Sequence, residues 1–78
     1  MTNPHSKMEH YKTYKEAIGI RFSLEKDGYI LQEVGKATSC RYYYYKHKNG
    51  NRISLAVDLC LGKIVLSKNG KVTKTFSE

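Results

Sequence analysis

Apolar residues in the first third of the chain recur at the spacing of a helix. Four of them fall on one face of such a helix: Tyr14, Ala17, Ile18 and Phe22. The segment 13–16, Thr-Tyr-Lys-Glu, fits a capping box, in which the Thr hydroxyl and the Glu carboxylate bond free amides at a helix start. Gly28 is typical of the residue that follows a helix. We therefore predict a helix from Tyr14 to about Lys26.

The same segment also alternates between apolar and polar residues, as a strand does. The apolar members of this alternation are Ile18, Ile20, Phe22 and Leu24. In this alternative, residues 25–28 form a hairpin turn, and Gly19 costs a helix about 1 kcal/mol relative to alanine. The capping signals at both ends favour the helix over the strand.

After Gly28 the pattern is that of β structure. Residues 29–34 predict a short strand, and residues 35–39 predict a loop of small and polar residues. Asn-Gly occurs twice between alternating segments, at residues 49–50 and 69–70, and this dipeptide is the strongest short-range signal of a hairpin. Four more strands flank these turns, at residues 40–47, 52–59, 63–66 and 72–76. We expect an α+β fold, with one N-terminal helix packed on an antiparallel β-sheet of four or five strands that forms a meander of hairpins with one open face.

The length of 78 residues suits one small domain with a limited core. We predict a single basic α+β domain over residues 11–78, after a flexible N-terminal tail of residues 1–10, which shows no periodicity. The chain has no apolar run near the roughly 20 residues that a membrane span needs. It starts without the apolar stretch of a signal peptide. These features predict a cytoplasmic protein, in which Cys40 and Cys60 are reduced.

All of the net positive charge lies in the second half of the chain. From residue 1 to residue 35, five cations balance five anions. From residue 36 to residue 78, nine Lys or Arg stand against two acidic residues, a difference that equals the whole net charge of +7. Such a segregated charge attracts polyanions.

The segment from Tyr42 to Tyr45 consists of four tyrosines, and alternation along a strand puts two on each face of the sheet. A two-residue turn at Asn49-Gly50 would place Tyr42 and Tyr44 in the core, opposite Val57 and Leu55. We favour this register because it pairs Arg41 with Asp58. Tyr43 and Tyr45 would then face outward, together with His47 and Arg52.

A three-residue loop, with Gly50 in a bulge, would shift the pairing by one residue. Tyr43 and Tyr45 would then lie in the core, opposite Leu55 and Ile53, and Tyr42 and Tyr44 would face outward. In either register, two tyrosines lie beside Lys or Arg on the second face of the sheet.

An open sheet with aromatic rings among cations is typical of a surface on which the bases of single-stranded DNA or RNA stack. We therefore expect a binding module for nucleic acid. The candidate binding residues on this interpretation are Arg41, Tyr43, Tyr45, Lys46, His47, Lys48, Arg52, Lys63, Lys68, Lys71 and Lys74.

The alternative function is a small inhibitor or adaptor, of the kind that phages and plasmids encode. Such a protein would bind an acidic protein partner, or would form a homodimer through an edge strand, for which we favour residues 72–76. Nothing in the chain resembles a catalytic triad, a pair of catalytic carboxylates, a zinc site or a glycine-rich phosphate loop. We expect no enzymatic activity, no metal and no cofactor.

Overall fold

The computed structural model of the protein describes the backbone of residues 4–77 and the side chains of residues 12–77. One helix precedes a five-stranded antiparallel sheet in which each strand pairs with the next along the chain. The elements are α1 (Pro4–Lys26), β1 (Ile30–Ala37), β2 (Cys40–Lys46), β3 (Arg52–Asp58), β4 (Lys63–Lys68) and β5 (Lys71–Ser77). The predicted α+β meander is confirmed, with five strands.

The helix starts ten residues earlier than the sequence suggests. It begins at Pro4 and has 23 residues, so the predicted start at Tyr14 is wrong. Thr13 does not cap the helix, because it lies within it and is buried against the sheet. The predicted boundary at residue 10 falls inside this helix. Residues 1–3 of the predicted tail lie outside the described residues, and the flexibility of that tail stays a prediction.

The end of the helix agrees with the prediction, and a helix over residues 14–26 is confirmed against the strand alternative. Gly28 has a φ of 97°, a left-handed conformation that glycine adopts at little cost. The amide of Tyr29 donates to the Leu24 carbonyl at 3.0 Å, and the amide of Gly28 donates to the Glu25 carbonyl at 3.1 Å. This pair of bonds is a Schellman motif, which closes the helix and turns the chain into β1.

The first hairpin is tighter than expected. β1 continues through Gly35 to Ala37, so the loop predicted over residues 35–39 is only the turn at Thr38 and Ser39. Gly35 lets this strand continue close to its neighbour. A Cβ atom at this position would lie 3.3 Å from the Cβ of Tyr42 on β2.

The pairing of β2 with β3 follows the second register, so the favoured register is wrong. Tyr43 lies opposite Leu55, and Tyr45 lies opposite Ile53. The turn has three residues, 48–50, and Gly50 supplies a φ of 96° while its amide donates to the His47 carbonyl at 2.9 Å. This geometry is a type I turn closed by a glycine bulge.

The pairing of Arg41 with Asp58 that favoured the other register does not form. Arg41 donates instead to the carbonyl groups of Ala37 and Cys40, at 3.0 and 2.9 Å. Asp58 accepts bonds from the amides of Cys60 and Leu61, both at 3.0 Å, and so orders the turn after β3. Both charged side chains therefore have local backbone partners.

The core lies between α1 and the face of the sheet that carries Tyr43 and Tyr45. Its buried apolar residues are Ala17, Leu24, Tyr43, Tyr45, Ile53, Leu55, Val57 and Ile64. The helix covers this face alone. The opposite face, here called the open face, has no element packed on it within the part of the chain that the structure describes.

Candidate nucleic-acid interface

The open face combines two tyrosines on β2 with small side chains on the strands beside them. Tyr44 lies in a cross-strand row with Ser54 and Ser67, and Tyr42 lies in the next row with Ala56 and Val65. Since serine, alanine and valine are shorter than tyrosine, the two rings stand above their neighbours on β3 and β4. Toward β3 and β4, neither tyrosine therefore has a bulky cross-strand neighbour.

Tyr44 borders a concave region of about 380 Å³ on this face. Its side chain is 41% exposed, the larger exposure of the two open-face tyrosines. Lys46 and Arg52 form the next cross-strand row, and both line the same concavity. Glu33 lies opposite Tyr44 on β1 and adds one carboxylate. Tyr45 and Ile53 of the core also line part of the concavity. Its open-face residues thus include one exposed aromatic ring, two cations and one anion.

The two Asn-Gly turns lie side by side at one end of the sheet, here called the hairpin end. Asn69 joins them, because its side-chain oxygen accepts a 2.8 Å bond from the Arg52 amide and its own amide donates to the Arg52 carbonyl at 2.8 Å. Its side-chain nitrogen also donates to the side-chain oxygen of Asn51 at 3.3 Å. These bonds hold the two turns, and the lysines beside them, in a fixed relation.

His47 connects the hairpin end to the end of the helix. Its Nε2 lies 3.1 Å from the Asp27 carbonyl, and its Nδ1 accepts a bond from the Asn49 amide at 3.1 Å. Its ring meets the Tyr29 ring edge-on, with 5.0 Å between the centroids. Both ring nitrogens of His47 therefore have hydrogen-bond partners within the fold. His47 has a structural role, and neither nitrogen is free to contact a phosphate.

Six of the candidate residues come together at the hairpin end: Lys46, His47, Lys48, Arg52, Lys68 and Lys71. They do not share one face. Lys46 and Arg52 lie on the open face, whereas Lys68 follows the core side of β4 and lies opposite Lys71 at the same end. The cations therefore surround the end of the sheet.

The other candidate residues lie apart from this group. Arg41 and Lys63 are at the opposite end of the sheet, where Lys63 pairs in register with Asp58. Lys74 lies on β5 with its ammonium group 5.8 Å from the centre of the Phe76 ring. The structure thus divides the predicted basic surface into separate parts.

Tyr43 and Tyr45 are not available to stack with bases, so their assignment to an outward face is wrong. They are 9% and 2% exposed, and both lie under the helix. Arg21 donates from Nε to the Tyr45 hydroxyl at 2.9 Å, and this hydroxyl donates to Glu25 at 3.1 Å. Burial raises the pKa of Tyr45, and the neighbouring Arg21, which lowers it, offsets only part of this effect.

Tyr42 and Tyr44 are the residues that the favoured register missed. The sequence could have indicated them through Gly50, because a bulge at this glycine gives the second register, in which Tyr42 and Tyr44 face outward. A hydrogen bond with the Cys40 thiol, together with the thiol's charge when ionised, raises the pKa of Tyr42.

Within the described residues there is no group of three or more His, Cys, Asp or Glu placed to hold a metal ion. Cys40 and Cys60 are free thiols. No helix in the described part of the chain is long and apolar enough to cross a membrane. No protein-family model, curated protein or solved structure matches the chain.

Proposed function

We propose that this protein is a non-enzymatic, cytoplasmic module that binds single-stranded nucleic acid on its open face. The observation that carries this proposal is the position of exposed Tyr44 beside Lys46 and Arg52 in one concavity of about 380 Å³. A base stacks on the Tyr44 ring, and the two cations contact the phosphates that flank it. Stacking of this kind contributes about 1–3 kcal/mol per base.

The charge around the concavity supports a polyanionic ligand. Lys48, Lys68 and Lys71 lie at the hairpin end, near the row of Lys46 and Arg52. A strand that leaves the concavity toward this end therefore meets further cations. Because neutralised phosphates release counterions, binding weakens steeply as salt rises.

The proposal is tested with a fluorescently labelled single-stranded oligonucleotide and polarisation at low salt. Replacing Lys46 and Arg52 by alanine should weaken binding by about tenfold or more, which corresponds to roughly 1.4 kcal/mol. The matched control replaces Lys36 and Lys63, two exposed lysines outside the hairpin end, and removes the same charge. Equal losses in the two double variants would mean diffuse attraction without a site.

The role of the aromatic surface is tested separately at Tyr44. Tyr44→Ala should weaken binding by roughly tenfold, whereas Tyr44→Phe, which keeps a ring that can stack, should bind within about twofold of the original chain. If no oligonucleotide changes the polarisation of the labelled probe at low salt, the proposal is rejected.

An acidic protein is the alternative ligand for the same cations. Affinity capture from a lysate, with and without nuclease, separates the two classes. Loss of all bound material after nuclease supports nucleic acid. A protein of stoichiometric amount that stays bound after nuclease supports the inhibitor or adaptor function and counts against our proposal.

A further inference from the structure

The concavity on the open face is lined by charged residues of opposite sign from the strands on either side of Tyr44. Glu33 lines it from β1, directly opposite Tyr44. Arg52 lines it from β3, one cross-strand row nearer the hairpin end than Ser54, which is the β3 partner of Tyr44. β1 and β3 are two strand spacings apart, about 10 Å. A planar base in the concavity therefore lies between a carboxylate and a guanidinium.

A bulge in β1 puts this carboxylate on the open face. The register shift between Leu31 and Glu33 makes Gln32 an extra residue in the strand. As a result Glu33, and not Gln32, pairs with Tyr44. Without the extra residue, alternation along the strand would turn Glu33 to the core side of the sheet. The bulge therefore sets a carboxylate beside the exposed ring.

The Glu33 carboxylate is unfavourable for contacts with phosphates, so a site that only attracts polyanions gains nothing from it. Glu33 is exposed, and its carboxylate has no hydrogen-bond or ion-pair partner among the described residues. Both of its oxygens can therefore accept bonds from a ligand. In a nucleic acid, the donors that suit them are the N–H groups on the edges of the bases.

Guanine is the base whose two edges match this pair of side chains. Its Watson–Crick edge has two adjacent donors, N1–H and the N2 amino group, and one carboxylate can accept from both. Its Hoogsteen edge has two acceptors, O6 and N7, which suit the paired donors of an arginine. In adenine and cytosine an acceptor nitrogen lies beside the amino group, and in thymine one N–H lies between two carbonyl oxygens. Those edges repel one oxygen of a carboxylate.

We propose that this concavity selects guanine within a single strand, an inference that rests on the proposed function. The guanine ring stacks on Tyr44, and Glu33 accepts bonds from N1–H and the N2 amino group. Arg52 donates to O6 and N7. Because a guanidinium has five donors, Arg52 can bond the base and a flanking phosphate together, while Lys46 contacts the other phosphate. Glu33 then determines which base is bound.

Fluorescence polarisation with short labelled strands of thymine tests this proposal, when each strand carries one central guanine, adenine or cytosine. The original chain should bind the guanine strand about tenfold more tightly than the adenine, cytosine or all-thymine strand. A strand with central inosine, whose base is guanine without the N2 amino group, should bind with an intermediate affinity. The inosine strand tests the contact with Glu33 without any change to the protein.

Glu33→Gln tests the carboxylate itself. A side-chain amide has one acceptor oxygen and one donor nitrogen, so it cannot accept both bonds from guanine. The affinities for the guanine and adenine strands should then agree within about twofold. Because one negative charge is removed, the all-thymine strand should bind at least as tightly as it does to the original chain. Glu16→Gln removes the same charge from an exposed position of the helix, on the other side of the sheet, and should keep the guanine preference.

Failure of this proposal and failure of the proposed function give different results. Equal affinity of the original chain for all the strands would overturn guanine selection and leave the binding of nucleic acid in place. An inosine strand that binds as tightly as the guanine strand would overturn it too, and so would a guanine preference that Glu33→Gln retains. If no strand changes the polarisation at low salt, both proposals are rejected.

Discussion

The guanidinium of Arg21 lies 4.1 Å from the centre of the Tyr43 ring, on the face of that ring. The same side chain donates from Nε to the Tyr45 hydroxyl at 2.9 Å. One helical residue therefore contacts both buried tyrosines of β2. A shift of β2 by one residue would turn both rings to the open face and would remove both contacts. Arg21 thus links the position of the helix to the register of the sheet.

Replacing Arg21 should lower stability more than its partial exposure suggests. Arg21→Ala removes the contact with the Tyr43 ring and leaves the Tyr45 hydroxyl with Glu25 alone. We expect a loss of about 1–3 kcal/mol in the free energy of unfolding, measured with urea. Ser23→Ala, at an exposed position of the same helix, is the control and should change this free energy by less than about 0.5 kcal/mol. Equal effects of the two variants would show that the contacts of Arg21 add nothing.

Alternate tyrosines of β2 should differ sharply in their contribution to stability. Tyr45 is 2% exposed, so Tyr45→Ala should lower the free energy of unfolding by about 3–5 kcal/mol. Tyr44 is 41% exposed on the open face, so Tyr44→Ala should cost less than about 1 kcal/mol. Denaturant unfolding of both variants measures the difference. Similar losses would mean that the open face is covered in solution.

The sequence predicts the elements of this fold better than their boundaries. The helix end can be predicted because the chain needs a positive φ there, and glycine, which adopts it at little cost, is found at residue 28. The helix start is not readable, because Thr13 and Glu16 have the types and spacing of a capping box but lie within the helix. Residue types that fit a cap do not exclude a further helical turn before them.

A shift of the β2–β3 pairing by one residue decides which tyrosines lie on the open face. The prediction of the candidate site failed in part because it used the other pairing. Asn49-Gly50 fits both a two-residue turn and a three-residue loop with a bulge, and these put opposite tyrosines outward. The pairing of Arg41 with Asp58 favoured the first, but backbone groups in the adjacent turns satisfy both side chains. In the register that forms, Arg21 contacts both Tyr43 and Tyr45, and these contacts between residues distant in sequence could not be assigned from local pattern.

Gly28 should be sensitive to substitution for two separable reasons. It has a φ of 97°, and a Cβ atom there would lie 2.9 Å from the Nε2 of His47. Gly50 has a φ of 96° with nothing within 4 Å of an added Cβ, so Gly50→Ala measures the backbone cost alone, about 1–2 kcal/mol. Gly28→Ala should cost more than this in thermal or urea unfolding. If the two variants lose the same stability, the contact with His47 contributes nothing.

The buried Tyr45 hydroxyl should make the fold sensitive to alkaline pH. Its pKa is raised in the folded protein, chiefly by burial, above the value of about 10 in an unfolded chain. Above pH 10 the unfolded chain therefore loses this proton first and binds fewer protons than the folded chain. The free energy of unfolding must then fall as pH rises through the folded pKa, whereas below pH 10 the contribution of the protonated Tyr45 to stability is fully present.

Tyr45→Phe cannot ionise at this position, so its free energy of unfolding should fall less steeply between pH 9 and 11, measured by urea unfolding at each pH. Identical slopes for Tyr45→Phe and the original chain would show that Tyr45 does not titrate differently in the fold.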